Sequence, residues 1–419
     1  MSRLNQELGL VSGVALLATS LLGTGIFVVP ALAARAAGSA SLWAWLLLWA
    51  LVMPLAFTFA QLGRRDPHAG GAPHLIGRAF GPRLEQVSSW LFLLVMPVGL
   101  PAALQIASGF WAVLWPLSGA HRLLIEWATL AAIGVLGVQR VRASGALQSA
   151  IAVGLVASVA LLWWLGDLPR ANQPLLPSID GMWSALAPAL ALMFWCFVGI
   201  EAFIHLGEEF KRPRRDLPLA LVLGVSLAAL VYWACSVALV SLPTEQASTS
   251  ASGDLPALFA SLLGEPARLL VAVLGYLACF ASMNIYLQGF ARLLWSQADE
   301  GVLPARLASL NGNGVPARAL LVVLMVCALC SGLAHAGGLD VDGLIRYANG
   351  NFALIYLLSM AAGVRLLSGS WRWIAALSAL LCAAVLVLLA SHALYALAVT
   401  AVLYLVLPTR ERVQRPVRS

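Results

Sequence analysis

Charge is the scarcest feature of this sequence. Only 10% of its 419 residues are charged, whereas 61% are hydrophobic. A soluble domain carries about a quarter charged residues. Lysine occurs once, at Lys211, so arginine supplies nearly all of the positive charge. This composition excludes an ordinary soluble protein, and its long apolar runs predict an all-α integral membrane protein.

Catalytic and metal-binding motifs are missing as well. The sequence has no Gly-x-Ser-x-Gly, no His-Glu-x-x-His, no phosphate-binding loop with its lysine, and no His, Cys, Asp and Glu cluster at metal-ligand spacing. The six cysteines all lie in apolar stretches. Because the Cys327-x-x-Cys330 pair lies on an apolar helix without a redox or metal partner nearby, we interpret both as structural thiols. We therefore predict no enzyme activity, no cofactor and no metal.

The apolar runs indicate twelve crossings of a lipid bilayer. A spanning helix needs about 20 apolar residues, and the last run, 373–409, is long enough for two spans with a turn near Ser391-His392. Glu126 lies near the outer end of the fourth span, and 66–81 is predicted as a surface loop or a short amphipathic helix under the bundle. The other predicted spans are about 8–34, 36–63, 86–120, 123–139, 143–166, 181–200, 217–244, 269–291, 319–339 and 347–364.

The distribution of basic residues orients these spans. With the N-terminus in the cytoplasm, 20 of the 25 basic residues fall in cytoplasmic segments, as the positive-inside rule requires. The outer segments hold the other five, Arg35, Arg122, Arg170, Arg268 and Arg346. Both termini are therefore predicted to be cytoplasmic, with a basic tail at 408–419. The net charge of +7 is a topology signal, and no nucleic-acid partner is predicted.

Two predicted spans carry helix-breaking residues at membrane depth. They are Ser20-Leu-Leu-Gly-Thr-Gly-Ile26 in helix 1 and Phe197-Val-Gly-Ile-Glu201 in helix 6. Glycine costs a helix interior about 1 kcal/mol relative to alanine, and broken helices in corresponding halves are typical of a transporter substrate site. Helices 1 and 6 each open a five-helix unit, about 8–166 and 181–365. An odd repeat length predicts a five-plus-five inverted repeat, followed by helices 11 and 12 at about 373–407, in one domain spanning 1–407.

The two breaks predict the chemistry of the ligand. Free amides and a positive helix end near Ile26 suit a carboxylate, and free carbonyls near Phe197 suit an ammonium group. Only Glu201 supplies charge at this depth, so the ligand is expected to be an amino acid with an apolar side chain. The alternative is close helix packing by small residues. The predicted substrate-binding residues are Ser20, Gly23, Thr24, Gly25, Ile26, Phe194, Phe197, Val198 and Gly199.

Glu201 has three possible roles that the sequence leaves open. It binds a coupling proton, contacts the substrate amine, or caps the second half of helix 6. His205, one turn later, pairs with it or is a structural histidine. The predicted helix 8 contains several polar residues. They either line the predicted substrate site or form interhelical hydrogen bonds. These are Tyr276, Ser282, Asn284, Tyr286 and Gln288.

Three stretches carry a resemblance to a known family. SLLGTGIFVVP (20–30), PHAGGAPHLIGRAFG (67–81) and FWCFVGIEAF (194–203) resemble the amino acid–polyamine–organocation superfamily, and the resemblance covers essentially the whole chain. It implies the LeuT-like arrangement with broken helices 1 and 6. Within the superfamily, PVGLPAALQIASGF (97–110) and FARLLWSQA (290–298) are similar to bacterial exporters of L-methionine and branched-chain amino acids.

That resemblance implies a transport function. It implies export of L-methionine, L-leucine, L-isoleucine and L-valine across the bacterial inner membrane. Our leading hypothesis is that export proceeds by alternating access, with a proton as coupling ion. An importer or an exchanger is the alternative, since sequence does not fix direction. Helix 5 lacks the lysine that some proton-coupled relatives carry there, so Glu201 is the predicted coupling residue. The lipid bilayer is the expected environment, and the oligomeric state is not predicted.

Overall fold

The computed structural model describes residues 9–65, 71–139, 145–168, 183–201, 210–241, 251–299 and 301–407. These residues form helices joined by short turns. The predicted basic tail at 408–419 lies outside the described residues. The helices are α1 (Leu10–Leu22), α2 (Val29–Ala37), α3 (Ala40–Arg65), α4 (Gly71–Phe80), α5 (Pro82–Leu93), α6 (Met96–Leu114), α7 (Gly119–Val138), α8 (Gly145–Leu165), α9 (Trp183–Met193), α10 (Pro213–Ser241), α11 (Ala251–Leu263), α12 (Glu265–Asp299), α13 (Ala317–Ala336), α14 (Val341–Leu366), α15 (Ser370–Leu388) and α16 (Ser391–Val406), with 3₁₀ turns at Phe194–Phe197 and Ala305–Ala308.

The helices have the length and the surface of a multi-pass membrane protein. Large apolar side chains such as Trp164, Val387 and Leu405 are more than three-quarters exposed, on faces that suit contact with lipid. Seven described segments are long and apolar enough to cross a membrane: Ala40–Arg65, Pro82–Leu114, Gly119–Val138, Arg214–Ser241, Glu265–Asp299, Ala317–Ala336 and Ser370–Leu388. Shorter apolar helices include Leu10–Leu22, Ala185–Phe197 and Ser391–Val406.

Three predicted segments can be compared directly with the structure. The last apolar run divides into α15 and α16 at Leu389–Ala390, which confirms the predicted turn near Ser391. The 66–81 connection contains α4, whose Leu75 and Ile76 are buried, so the short amphipathic helix is confirmed over the loop. The predicted span at 86–120 corresponds to the membrane-length segment Pro82–Leu114, which consists of the two helices α5 and α6. The chain turns at Leu94 and Val95, and Pro97 in the first turn of α6 favours a new helix start.

The centre of the bundle is built from α1, α6, α10, α12 and α14. Helix α1 packs on α8, α10 and α12, while α6 packs on α7, α12, α13 and α14. Small residues allow the close approaches. A Cβ placed on Gly275 of α12 would lie 2.6 Å from the Phe110 ring of α6, and one on Gly224 of α10 would lie 2.8 Å from Leu17 of α1. This tight centre is where the two predicted helix breaks meet.

Candidate functional site

The first break separates α1 from α2. Helix α1 ends at Leu22 and α2 begins at Val29, with a non-helical turn over 23–28. The predicted second half started at about Ile26, three residues too early. Pro30 in the first turn of α2 accounts for the difference, because proline favours the first helical positions. The backbone amides of Thr24, Gly25 and Phe27 donate to no atom of the described residues, so donors are free at this turn.

Side chains from two neighbouring helices satisfy three carbonyls at the first break. The Tyr232 hydroxyl of α10 donates to the Leu21 carbonyl at 2.7 Å. The thiols of Cys235 and Cys279 lie 3.8 Å from the Ile26 carbonyl and 3.9 Å from the Gly23 carbonyl. An irregular backbone at membrane depth requires such partners. The turn still leaves the amides of Thr24, Gly25 and Phe27 for a ligand.

The glycines of this turn also allow close packing. A Cβ on Gly25 would collide with the Tyr232 hydroxyl and lie 3.2 Å from the Cys196 sulfur. A Cβ on Gly23 would lie 2.6 Å from the Cβ of Ser282. Gly23 and Gly25 thus lie in a helix break and also allow close packing, so the two interpretations of this motif do not exclude each other.

The second break follows α9. The helix ends at Met193, tightens into the 3₁₀ turn Phe194–Phe197, and gives way to extended backbone at Val198. Gly199 then has φ +113°, a conformation that favours glycine. The Asn349 amide of α14 donates to the Ala191 and Leu192 carbonyls at 2.7 and 3.2 Å. These carbonyls are occupied, so an ammonium group would have to use later carbonyls of the break.

Glu201 closes this break from within. Its carboxylate accepts from the Gly199 amide at 2.9 Å and from the Tyr356 hydroxyl of α14, and the residue is 2% exposed. The same hydroxyl lies 3.3 Å from the Phe197 carbonyl. These contacts hold the break itself, whereas the second half of helix 6, which the predicted capping role concerns, lies outside the described residues. His205, the other predicted partner, lies outside the described residues.

A small cavity, part of it open to solvent, lies between the two breaks. Four hydroxyl-bearing side chains line it, Ser20, Thr24, Ser282 and Tyr286, and the other lining residues are apolar or aromatic. The indole of Trp195 donates to the Thr24 hydroxyl at 3.2 Å and so bridges the two breaks. None of the lining residues carries a charge. They are Ser20, Leu21, Thr24, Val95, Gly99, Leu100, Ala103, Trp195, Val198, Ser282, Met283, Tyr286, Phe290 and Phe352.

The structure brings the predicted residues together, but in two layers. Ser20, Thr24 and Val198 line the cavity. Gly23, Gly25, Ile26, Phe194, Phe197 and Gly199 lie behind them in the packed wall, where Ile26, Phe194 and Phe197 are at most 1% exposed. Gly199 is closest to the space, because a Cβ there would lie 2.5 Å from the Tyr286 hydroxyl.

One wall of the cavity escaped the sequence-based prediction. Helix α6 and the turn before it contribute Val95, Gly99, Leu100 and Ala103. Gly99 and Ala103 are four residues apart, the small-xxx-small spacing of a close helix approach. That spacing was a usable signal, and it lies inside the PVGLPAALQIASGF stretch. Phe352 of α14 has no comparable signal.

Comparison with known proteins gives the chain its family. A family model described as amino acid permease matches residues 8–416. The L-methionine/branched-chain amino acid exporter YjeH of Escherichia coli K12 is 48% identical over 411 residues, 98% of each chain. YecA of Bacillus subtilis 168, an uncharacterized amino acid permease, is 27% identical over 88% of this chain and 87% of its own. The cadaverine/lysine antiporter of Escherichia coli K12 is 26% identical over 76% and 72% of the two chains.

These matches confirm the resemblance to the amino acid–polyamine–organocation superfamily. They also confirm that the chain is an amino-acid transporter and not an enzyme. The apolar helices and the uncharged central cavity agree with that assignment. Because the family model covers nearly the whole sequence, the chain belongs to the amino acid permease family.

Proposed function

We propose that this transporter exports L-methionine, L-leucine, L-isoleucine and L-valine across the bacterial inner membrane by alternating access, in exchange for protons. One observation carries the proposal. An uncharged, largely apolar cavity lies between two helix breaks, one of which leaves backbone amides free. The 48% identity to an exporter with this substrate range supports the same choice of ligand.

The geometry supports a specific binding mode. The substrate carboxylate binds the free amide of Thr24 and the hydroxyl of Ser20, since both residues line the cavity. The ammonium group binds carbonyls of the second break near Val198. The apolar side chain lies against α6 at Gly99.

The same cavity disfavours charged side chains. A lysine substrate would bring a second ammonium group into a lining without a carboxylate, and an unpaired buried charge costs several kcal/mol. The nearest candidate, Glu201, already accepts from Gly199 and Tyr356. The 26% identical cadaverine/lysine antiporter therefore shares the family but is a poor guide to the substrate.

We also propose the twelve-span, five-plus-five inverted repeat in one membrane domain, with both termini in the cytoplasm. If α1/α2, α3, α5/α6, α7 and α8 form the first unit, then α9, α10, α12, α13 and α14 are their counterparts in the second. The packing supports this pairing, because contacts recur between corresponding helices. The contact of α1 with α10 corresponds to that of α9 with α3, and the contact of α1 with α8 corresponds to that of α9 with α14. Likewise α6 packs on α14 as α12 packs on α8.

Transport in proteoliposomes tests the proposed substrate. Vesicles loaded with unlabelled methionine should take up radiolabelled methionine by counterflow, and external leucine, isoleucine or valine should compete, whereas lysine should not. Absence of counterflow with both methionine and leucine would contradict the proposal. Competition by lysine equal to that by leucine would contradict the binding mode alone.

Direction requires a separate measurement. Cells fed a methionine-containing dipeptide release free methionine internally, and an exporter should lower that internal pool relative to cells without the protein. A higher internal pool in cells that express the protein would favour the importer.

A further inference from the structure

Helices α6, α7 and α13 enclose a second buried carboxylate, away from the cavity. Glu126 of α7 has a side chain with no exposed surface. It accepts from Ser108 of α6 at 3.0 Å and from Ser331 of α13, and lies 2.9 Å from Nε2 of His335. The sequence predicts Glu126 near the outer end of a span, and its full burial is a finding of the tertiary structure.

The only ion-pair partner of Glu126 among the described residues is the imidazole of His335. A carboxylate buried in this way is stable as an ion only when a partner neutralises it. The pair is neutral overall as carboxylate with imidazolium or as carboxylic acid with imidazole, and each of these states holds one proton. The pair therefore binds a single proton, and when that proton leaves it becomes a carboxylate beside a neutral imidazole.

His335 is the partly exposed end of this site. Its side chain is 22% exposed, and it lies in the last turn of α13, where the helix dipole favours a cationic imidazole. Ser331 lies one turn earlier on the same face, so both residues point to Glu126. A proton can thus enter from the end of the bundle where α13 ends, which the basic-residue distribution predicts to be the outer side.

Helix α6 links the pair to the substrate cavity. Ser108 lies five residues from Ala103, which lines the cavity, and this is about 7.5 Å along a helix. The same helix is held to the loop after α13 by Gln105, whose amide donates to the Leu339 carbonyl at 3.2 Å. One packed helix thus joins the pair to a wall of the cavity.

Other titratable groups around the pair are few. From α12, the Tyr276 hydroxyl reaches Thr129, one turn beyond Glu126, at 2.9 Å. On α7 itself Arg122 precedes Glu126 by one turn, and α6 faces the pair with the uncharged Ser108 and Gln105. On α13 the further titratable groups are the thiols of Cys327 and Cys330. Asp340, which caps the start of α14, follows the Leu339 contact.

We infer that Glu126 and His335 form a proton-binding site that exchanges with the outer solution and couples proton entry to amino-acid export. The coupling rests on the proposed function, whereas proton binding at the pair does not. The sequence predicted this coupling role for Glu201, whose carboxyl group accepts from Gly199 and Tyr356, so variants of both sites are compared.

Proton binding is tested first, without transport. Protein with ¹⁵N-labelled histidine in liposomes is titrated by solid-state NMR between about pH 5 and 8, the range in which histidine changes charge. The His335 signal, assigned by its loss in His335→Gln, should titrate, and Glu126→Gln should shift its midpoint. A His335 signal that is constant over this range, or one indifferent to Glu126→Gln, would overturn the inference.

Coupling is tested in proteoliposomes with the membrane voltage clamped by potassium and valinomycin. For one proton per amino acid, a pH difference of one unit supports about tenfold methionine accumulation. Glu126→Gln should reduce that ratio to about one while methionine counterflow, which needs no proton gradient, is retained. Glu126→Asp should restore part of the accumulation.

The matched control is His121→Gln, because His121 is an exposed histidine near the same end of α7. This variant should accumulate methionine like the wild type. Full accumulation by Glu126→Gln, or loss of coupling in Glu201→Gln alone, would overturn the coupling role. If the wild type shows no methionine counterflow, the proposed function fails instead, while the NMR titration still decides whether the pair binds a proton.

Discussion

Gly99→Ala provides a direct test of the cavity as the substrate site. Gly99 lies on α6, in the wall that the sequence did not predict. A Cβ there would be 3.0 Å from Cγ1 of Val95, 3.6 Å from Cβ of Ala348 and 3.7 Å from the Trp195 ring. Only the contact with Val95 is tight, and it involves the end of a side chain. The variant should therefore fold, with one methyl group added between two lining residues.

The magnitude follows from the size of that group. A methylene in a hydrophobic pocket changes discrimination by about 1–3 kcal/mol, which is about 10- to 200-fold. The long side chain of methionine should lose the most and valine the least. The assay is the concentration of each amino acid that half-inhibits radiolabelled leucine counterflow in proteoliposomes, compared as a methionine-to-valine ratio.

Gly289→Ala is the matched control for this prediction. Gly289 is a helical glycine of α12, and no heavy atom outside its own helical turn lies within 4 Å of the position that a Cβ would take. The substitution therefore adds the same methyl group to open space. It should leave the methionine-to-valine ratio unchanged. An unchanged ratio in Gly99→Ala, or an equal loss for both amino acids, would refute the assignment of this cavity to the substrate side chain.

Three further substitutions test the helix breaks. Tyr356→Phe removes the hydroxyl shared by Glu201 and Gly199 and should cost about 1–3 kcal/mol of stability. Thermal unfolding in detergent measures this loss, with Tyr347→Phe on the same helix as the control. Equal unfolding temperatures for the two variants would contradict the prediction. Asn349→Ala leaves the two carbonyls at the end of α9 without their donor and should lower the unfolding temperature by a similar free energy; a wild-type unfolding temperature would show that the cap is dispensable. Gly25→Ala should abolish methionine counterflow, since its Cβ collides with the Tyr232 hydroxyl, and adding Tyr232→Phe should restore part of it. No rescue in the double variant would argue against that collision as the cause.

The pattern of apolar runs and helix-breaking residues determined much of this protein. It placed the membrane class, the division of the last run near Ser391 and the break after Leu22, because burial in lipid and glycine propensity are local properties. It also predicted a second break at Gly199, and the structure gives this residue a φ of +113°, a conformation that favours glycine.

Only the tertiary structure decided which residues satisfy these breaks and line the cavity. Tyr356 meets Glu201 across 155 residues of sequence, and His335 meets Glu126 across 209. In a membrane helix, lipid-facing and protein-facing positions are both apolar, so periodicity does not reveal which face of α6 meets the substrate. The cavity wall and the buried carboxylate–imidazole pair are therefore products of packing between distant helices, which no local pattern encodes.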